Sequence, residues 1–145
     1  MNETSYDGPK RILFLDTDYE SVNAFRKLAV SLSFPSIIIA AGKTSSAIDL
    51  LENNDFDLII SQIFPTNMIN GLVIVERLRN GSFGDENKNI PAIAHTAKGY
   101  IVKEACIEVG FNDYVATTDD PKYKNKLLKA IEDSFVSIEV LEPDV

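Results

Sequence analysis

Basic residues are in short supply. The chain of 145 residues carries 14 Lys and Arg against 22 Asp and Glu, a formal net charge of −8. That balance disfavours a nucleic-acid partner, which needs a basic patch against phosphates, and leaves a basic protein partner open. Cys106 is the only cysteine, so no internal disulfide can form. No apolar run approaches the ~20 residues that span a bilayer, so no membrane partner is expected. The first residues, MNETSYDGPK, have no apolar stretch of the kind a secretory signal needs. With the lone cysteine, this makes a reducing cytoplasm the expected compartment. His95 is the only histidine. No internal repeat or low-complexity segment is found.

What is present is ordinary for one globular domain: 45% hydrophobic and 25% charged residues in a length that supports a single core. The most informative stretch is Asp57 to Gly71, DLIISQIFPTNMING. Leu58, Ile59 and Ile60 form an apolar run of the type buried on both faces in parallel sheets. Ser61 and Gln62 end it. Pro65 forces an irregular loop, Asn70-Gly71 signals a turn, and Leu72 to Arg79 begins a helix. Ser61 is therefore placed at the carboxyl end of a central strand, the edge at which open α/β sheets bind ligands.

The rest of the chain repeats this alternation. Met1 to Pro9 is a polar lead-in expected to be disordered. Arg11–Leu15 reads as a strand ending in Asp16-Thr17-Asp18, with Asp18 as N-cap of a helix from Tyr19 to about Leu32. Val22, Phe25, Leu28 and Ala29 give that helix its buried stripe. Ser36–Ala41 is the second strand and Thr44–Asn53 the second helix. Asn80 to Asn89 is a long polar loop. Ile90–His95 is the fourth strand, closed by Thr96. Gly99–Val109 is a helix ended by Gly110, and Asp113–Ala116 is the fifth strand. Asp119–Phe135 is the last helix. Val136–Val145 is an acidic tail expected to fray. Five strands alternating with five helices predict a doubly wound, five-stranded parallel sheet.

Four motifs in this order, ILFLDTD, DLIISQIFP, IPAIAHTA and GFNDYVAT, resemble the CheY-like receiver domains of bacterial response regulators, from about Lys10 to Phe135. The resemblance implies the flavodoxin-like (βα)5 fold and a role in two-component signal transduction. In that family an aspartate accepts a phosphoryl group. An acidic cluster holds Mg²⁺, a lysine pairs with the phosphate, and a Thr or Ser with an aromatic follows the change.

Carried over position by position, the resemblance breaks at the chemistry. The nucleophile stands four residues before the loop proline, which here is Ser61. The acidic pair falls on Asp16 and Thr17. The lysine falls on Thr117, with Thr118 in place of the following proline. The loop from Pro65 to Gly71 is two residues longer than the usual form. What remains is Asp16, the switch threonine Thr96 and the aromatic Tyr114. Asp16 alone is too little for a Mg²⁺ site, and a serine without a base is a poor nucleophile. His95 alternates away from Thr96 and is expected to pack under a helix as a core histidine. The expectation is a pseudo-receiver with no catalytic residue, metal or cofactor, not an enzyme, acting through a signalling protein or as a homodimer.

Two alternatives belong beside it. The LDTD stretch is also similar to the DxDx(T/V) motif of haloacid-dehalogenase phosphohydrolases, which would use Asp16 and Asp18, although Glu20 stands at the Thr or Val position. Alternatively, Ser61 is phosphorylated by another enzyme. For partner binding, receivers commonly use the fourth helix, fifth strand and fifth helix. Helical spacing turns Tyr100, Lys103, Glu104 and Ile107 outward on the fourth helix, with Ala105, Cys106 and Val109 inward. Lys122, Asn125, Lys126 and Lys129 face out on the last helix, an expected basic strip beside the apolar pair Tyr100 and Ile107.

Overall fold

The computed structural model describes residues 8–63, 69–96, 103–116 and 122–141, the last six as backbone. Five parallel strands form one sheet in the order β2-β1-β3-β4-β5. They are β1 (Lys10–Leu15), β2 (Ser36–Ala41), β3 (Leu58–Gln62), β4 (Ala92–Thr96) and β5 (Asp113–Ala116). The helices are α1 (Tyr19–Ala29), α2 (Thr44–Asn53), α3 (Gly71–Arg79), α4 (Asp85–Lys88), α5 (Lys103–Val109) and α6 (Lys122–Leu141). This is the expected doubly wound, flavodoxin-like architecture.

Both sheet faces are covered, which explains the near-continuous apolar strands. One core joins Leu13, Leu15, Ile59, Ala92 and Ala94 to α2, α3 and α5 through Leu51, Ile74, Leu78 and Cys106. The other joins Ile12, Phe14, Leu58, Ile60 and Ile93 to α1 and α6 through Phe25, Leu127 and Ile131. Successive strand residues alternate between these two cores, as the pleat requires.

Element limits differ from expectation in a few places. Helix α1 stops at Ala29, three residues early. The chain winds on through Leu32 with the N–H groups of Val30, Ser31 and Leu32 bonding to carbonyls three residues back, a tighter turn than the α-helix. Strand β4 starts at Ala92, because Pro91 has no N–H for the ladder. The expected loop Asn80 to Asn89 contains the short helix α4, entered through Gly81 and Gly84 at φ 86° and 94°. Its Asn87 is fully buried. The Asn87 amide donates to the carbonyls of Leu51, Asn54 and Phe83 and accepts from the Phe56 N–H at 2.9 Å. The expected tail is corrected as well: α6 runs to Leu141, six residues beyond Phe135. The expected starts of the last two helices, at Gly99 and Asp119, lie outside the described residues.

Gly110 ends α5 at φ 118°, and the N–H groups of Gly110 and Phe111 return to Cys106. Arg79 ties this end to the rest of the domain. Its guanidinium donates twice to the Gly110 carbonyl, once each to the Lys88 and Ile90 carbonyls, and to Asn112 Oδ1.

Candidate functional site

Strand parity sorts the residues at the carboxyl edge into two groups. Ser61 follows Ile59 on the face covered by α2, α3 and α5. Asp16 follows Phe14, Gln62 follows Ile60 and His95 follows Ile93, on the face covered by α1 and α6. The register pairs Leu15 with Ser61 and Gln62 with His95, so Asp16, Gln62 and His95 lie on three adjacent strands.

Ser61 is fully buried. Its hydroxyl donates to the Gln62 carbonyl at 3.0 Å. Gly71, the first residue of α3, lies directly over it: a Cβ on Gly71 would overlap the Ser61 hydroxyl and come within 3.1 Å of the Ser61 Cβ. Asn70 fixes this approach, with its side chain accepting from the Val73 N–H as N-cap and its own N–H donating to Thr44 Oγ1. The hydroxyl is thus sealed beneath a helix start, with the one histidine on the opposite face of the sheet.

Asp16 is 3% exposed. One carboxylate oxygen accepts from the Asp18 N–H at 2.8 Å, and the other stands 3.8 Å from His95 Nε2. Burial raises the Asp16 pKa above its ordinary value, the Asp18 N–H opposes this, and the Asp18 charge adds to the rise. Burial lowers the His95 pKa to about 4, so the imidazole is neutral at pH 7. Its ring stacks on Phe14 at 5.2 Å between centroids, and Phe14 stacks on Phe25 at 4.3 Å. His95 is the core histidine expected, but its contact with Asp16 was not legible along the chain. Alternation from Phe14, Ile60 and Ile93 is the signal that aligns Asp16, Gln62 and His95 once the strand ends are matched.

The other described residues of the edge are engaged in different contacts. Thr17 brings its N–H within 3.5 Å of Gln62 Oε1 and adds no carboxylate. Asp18 is engaged as the cap of α1, accepting from the Glu20 N–H at 3.0 Å and from Ser21 Oγ at 3.3 Å. Among the described residues no three His, Cys, Asp or Glu side chains converge. Thr117 lies outside the described residues. Thr96 is 1% exposed at the end of β4, beside Ala116.

Tyr114 packs half-buried against the α2–α3–α5 core, and its hydroxyl is sealed from water without a hydrogen-bond partner. Burial raises its pKa, and the Cys106 thiol adds to the rise. Cys106 is fully buried and is itself pushed up by burial.

On the outer surface Ile107 is 54% exposed, and Lys122, Lys126 and Lys129 are exposed along α6, as the spacing predicts. Acidic side chains accompany these lysines. Lys129 pairs with Asp133 at 3.0 Å, and Lys126 and Lys129 share a groove between β5 and α6 with Tyr114, Asp113 and Asp133. Ile107 lines a separate depression with Lys103, Glu104 and Glu108. Tyr100 lies outside the described residues.

No protein-family model matches the sequence, and no curated protein matches it. Solved structures do match in fold. The signal receiver domain of an HD-domain protein from Pseudomonas fluorescens has TM-score 0.76 at 19% identity, covering 97% of this chain and 96% of that one. The receiver domain of a sensor histidine kinase from Pseudomonas aeruginosa, solved with magnesium in its active-site cleft, has TM-score 0.71 at 19% identity, over 90% and 99% of the two chains. A chemotaxis response regulator of Vibrio cholerae has TM-score 0.68 at 19% identity, over 85% and 98%. The chain has the receiver fold of these structures, two of them receiver domains and the third a chemotaxis response regulator. No helix among the described residues is long and apolar enough to cross a membrane.

Proposed function

We propose that the chain is a pseudo-receiver: a signalling module that works by contact with another protein, takes no phosphate and catalyses no reaction. The observation that carries this reading is Ser61. At the position where receivers present an aspartate, the chain has a hydroxyl with no solvent exposure, closed over by Gly71. A phosphodonor needs in-line access to its nucleophile and a base beside the hydroxyl, and the described residues around Ser61 offer neither. The same burial argues against modification of Ser61 by a kinase. The dehalogenase-like alternative is disfavoured by Asp18, whose oxygens are committed to the α1 cap. The groove between β5 and α6, with Lys126 and Lys129 at its edge, is the surface on which a protein partner would dock; Ile107 marks the adjoining helix.

The test is acetyl phosphate or beryllofluoride with Mg²⁺, followed by NMR of the backbone amides. No saturable shift is expected near Ser61, Thr96 or Tyr114. Saturable shifts at those three positions would refute the reading. For the surface, Lys126→Glu with Lys129→Glu should weaken capture of the native partner while the circular dichroism spectrum is retained; full binding by that folded variant would place the interface elsewhere.

A further inference from the structure

Between α1 and α6 a cavity of about 320 Å³ reaches down to the carboxyl edge of the strands. That volume is at the lower end of the range for small-molecule sites. Its walls are apolar: Phe14 from β1, Phe25 and Leu28 from α1, and Leu127 from α6. Its floor is polar: Asp16, Gln62 and His95, the three residues that parity brings together. Ala24 and Lys124 stand at the mouth, both exposed.

We infer that this cavity binds a small organic amine, with its apolar or aromatic body between Phe25, Leu28 and Leu127 and its ammonium group on Asp16. The chemistry of the floor selects the ligand. Asp16 lines the cavity, with backbone N–H groups of Asp18 and Thr17 on its carboxylate and His95 Nε2 3.8 Å from Oδ2, so no side chain in hydrogen-bond reach brings it a positive charge. A carboxylate set in apolar walls is completed best by a charged donor. Gln62 adds an amide at the same depth. An anion is a poorer fit, because it would meet Asp16 and Asp18 and gain only the exposed Lys124 ammonium, which solvent and salt screen. Phe14 is stacked on both Phe25 and His95, which fixes this wall of the cavity and leaves ring edges toward the ligand body.

This goes beyond the proposed function. The cavity is on the face away from Ser61, so amine binding and phosphodonor inertness can each hold or fail alone. The probe is 2-phenylethylamine, titrated into the full chain, with 2-phenylethanol and 3-phenylpropionate as neutral and anionic counterparts. Expected are saturable amide shifts at Asp16, Gln62 and Phe25 and a shift of the single histidine's ring signals, with the amine alone. Asp16→Asn should weaken binding at least about tenfold, the size of a lost charge-assisted hydrogen bond. Ala24→Trp, at an exposed position on α1, should block the mouth and abolish the shifts in a chain whose folding does not depend on Asp16. The proposal is overturned if the amine gives no saturable shift up to its solubility. It is also overturned if 3-phenylpropionate binds more tightly, or if a folded Ala24→Trp chain binds as well as the wild type.

Discussion

Replacing His95 with glutamine should remove a pH dependence that the wild type carries. His95 is 5% exposed and its pKa in the fold is about 4, against an ordinary 6.5. Between these values the unfolded chain holds a proton that the folded chain does not. Stability from this group is therefore complete above pH 6.5 and is lost as the pH falls toward 4. At about 1.36 kcal/mol per unit, acidification from pH 7.5 to 5.0 costs about 2 kcal/mol, a large part of the 5–15 kcal/mol typical of a domain. Asp16 acts in the opposite sense. Its raised pKa lets the folded carboxyl bind a proton more readily than the unfolded one, so its contribution improves on acidification. The comparison must therefore be a difference of differences: urea unfolding of wild type and His95→Gln, each at pH 7.5 and 5.0. The variant should lose about 2 kcal/mol less than the wild type over that interval. The rival arrangement is an ion pair between His95 and Asp16, 3.8 Å apart. It would hold the imidazolium in the fold, raise its pKa above 6.5 and reverse the sign, so that the wild type gains on the variant at pH 5.0. That outcome, or a ring titration of this single histidine above pH 6.5 by NMR, would refute the reasoning.

Three further perturbations test the frame around the site. Arg79→Lys replaces a planar fork that reaches four acceptors with one ammonium, and should cost about 2–4 kcal/mol in urea unfolding by leaving carbonyls at Gly110 and Ile90 short of donors. Asn87→Asp turns a carboxylate toward the carbonyls of Leu51 and Asn54 in place of the amide donor. It should cost about 3 kcal/mol or more at pH 7, with the gap narrowing on acidification as the carboxyl regains a proton to donate. Ser61→Asp should not restore phosphate uptake from acetyl phosphate with Mg²⁺. It should also lower stability by about 2–3 kcal/mol, because Gly71 leaves no room for the longer side chain; normal uptake by the single variant would refute the account of the missing groups.

The fold was legible because it rests on local signals that tertiary contacts reinforce. Strands β2 and β5 and helix α2 fall where their residues predict, since apolar β-branched runs and the 3.6-residue stripe reflect burial on two faces of a parallel sheet. Asp18 and Asn70 cap the helices they precede, because their short oxygens satisfy the first free N–H groups. Where expectation failed, the deciding contacts were distant in sequence. The polar stretch around Asn87 becomes a short helix with Asn87 buried because its amide bonds α2 and the chain entering β3, more than 30 residues away. No periodicity along four residues can announce that.

The site divides along the same line. The sequence by itself determined which groups are available: Ser61, Thr17 and Thr117 supply no carboxylate or cation whatever the fold does with them. It also determined, through the alternation of strand residues, that His95 and Ser61 could not meet. Only the tertiary structure decided which residues do meet. The register of three strands sets Asp16, Gln62 and His95 side by side, and the packing of Gly71 seals Ser61 while α1 and α6 leave a cavity over Asp16. The physical reason is that residue identity fixes which groups are available, whereas burial, pKa and access depend on neighbours that the chain brings together from strands 30 or more residues apart.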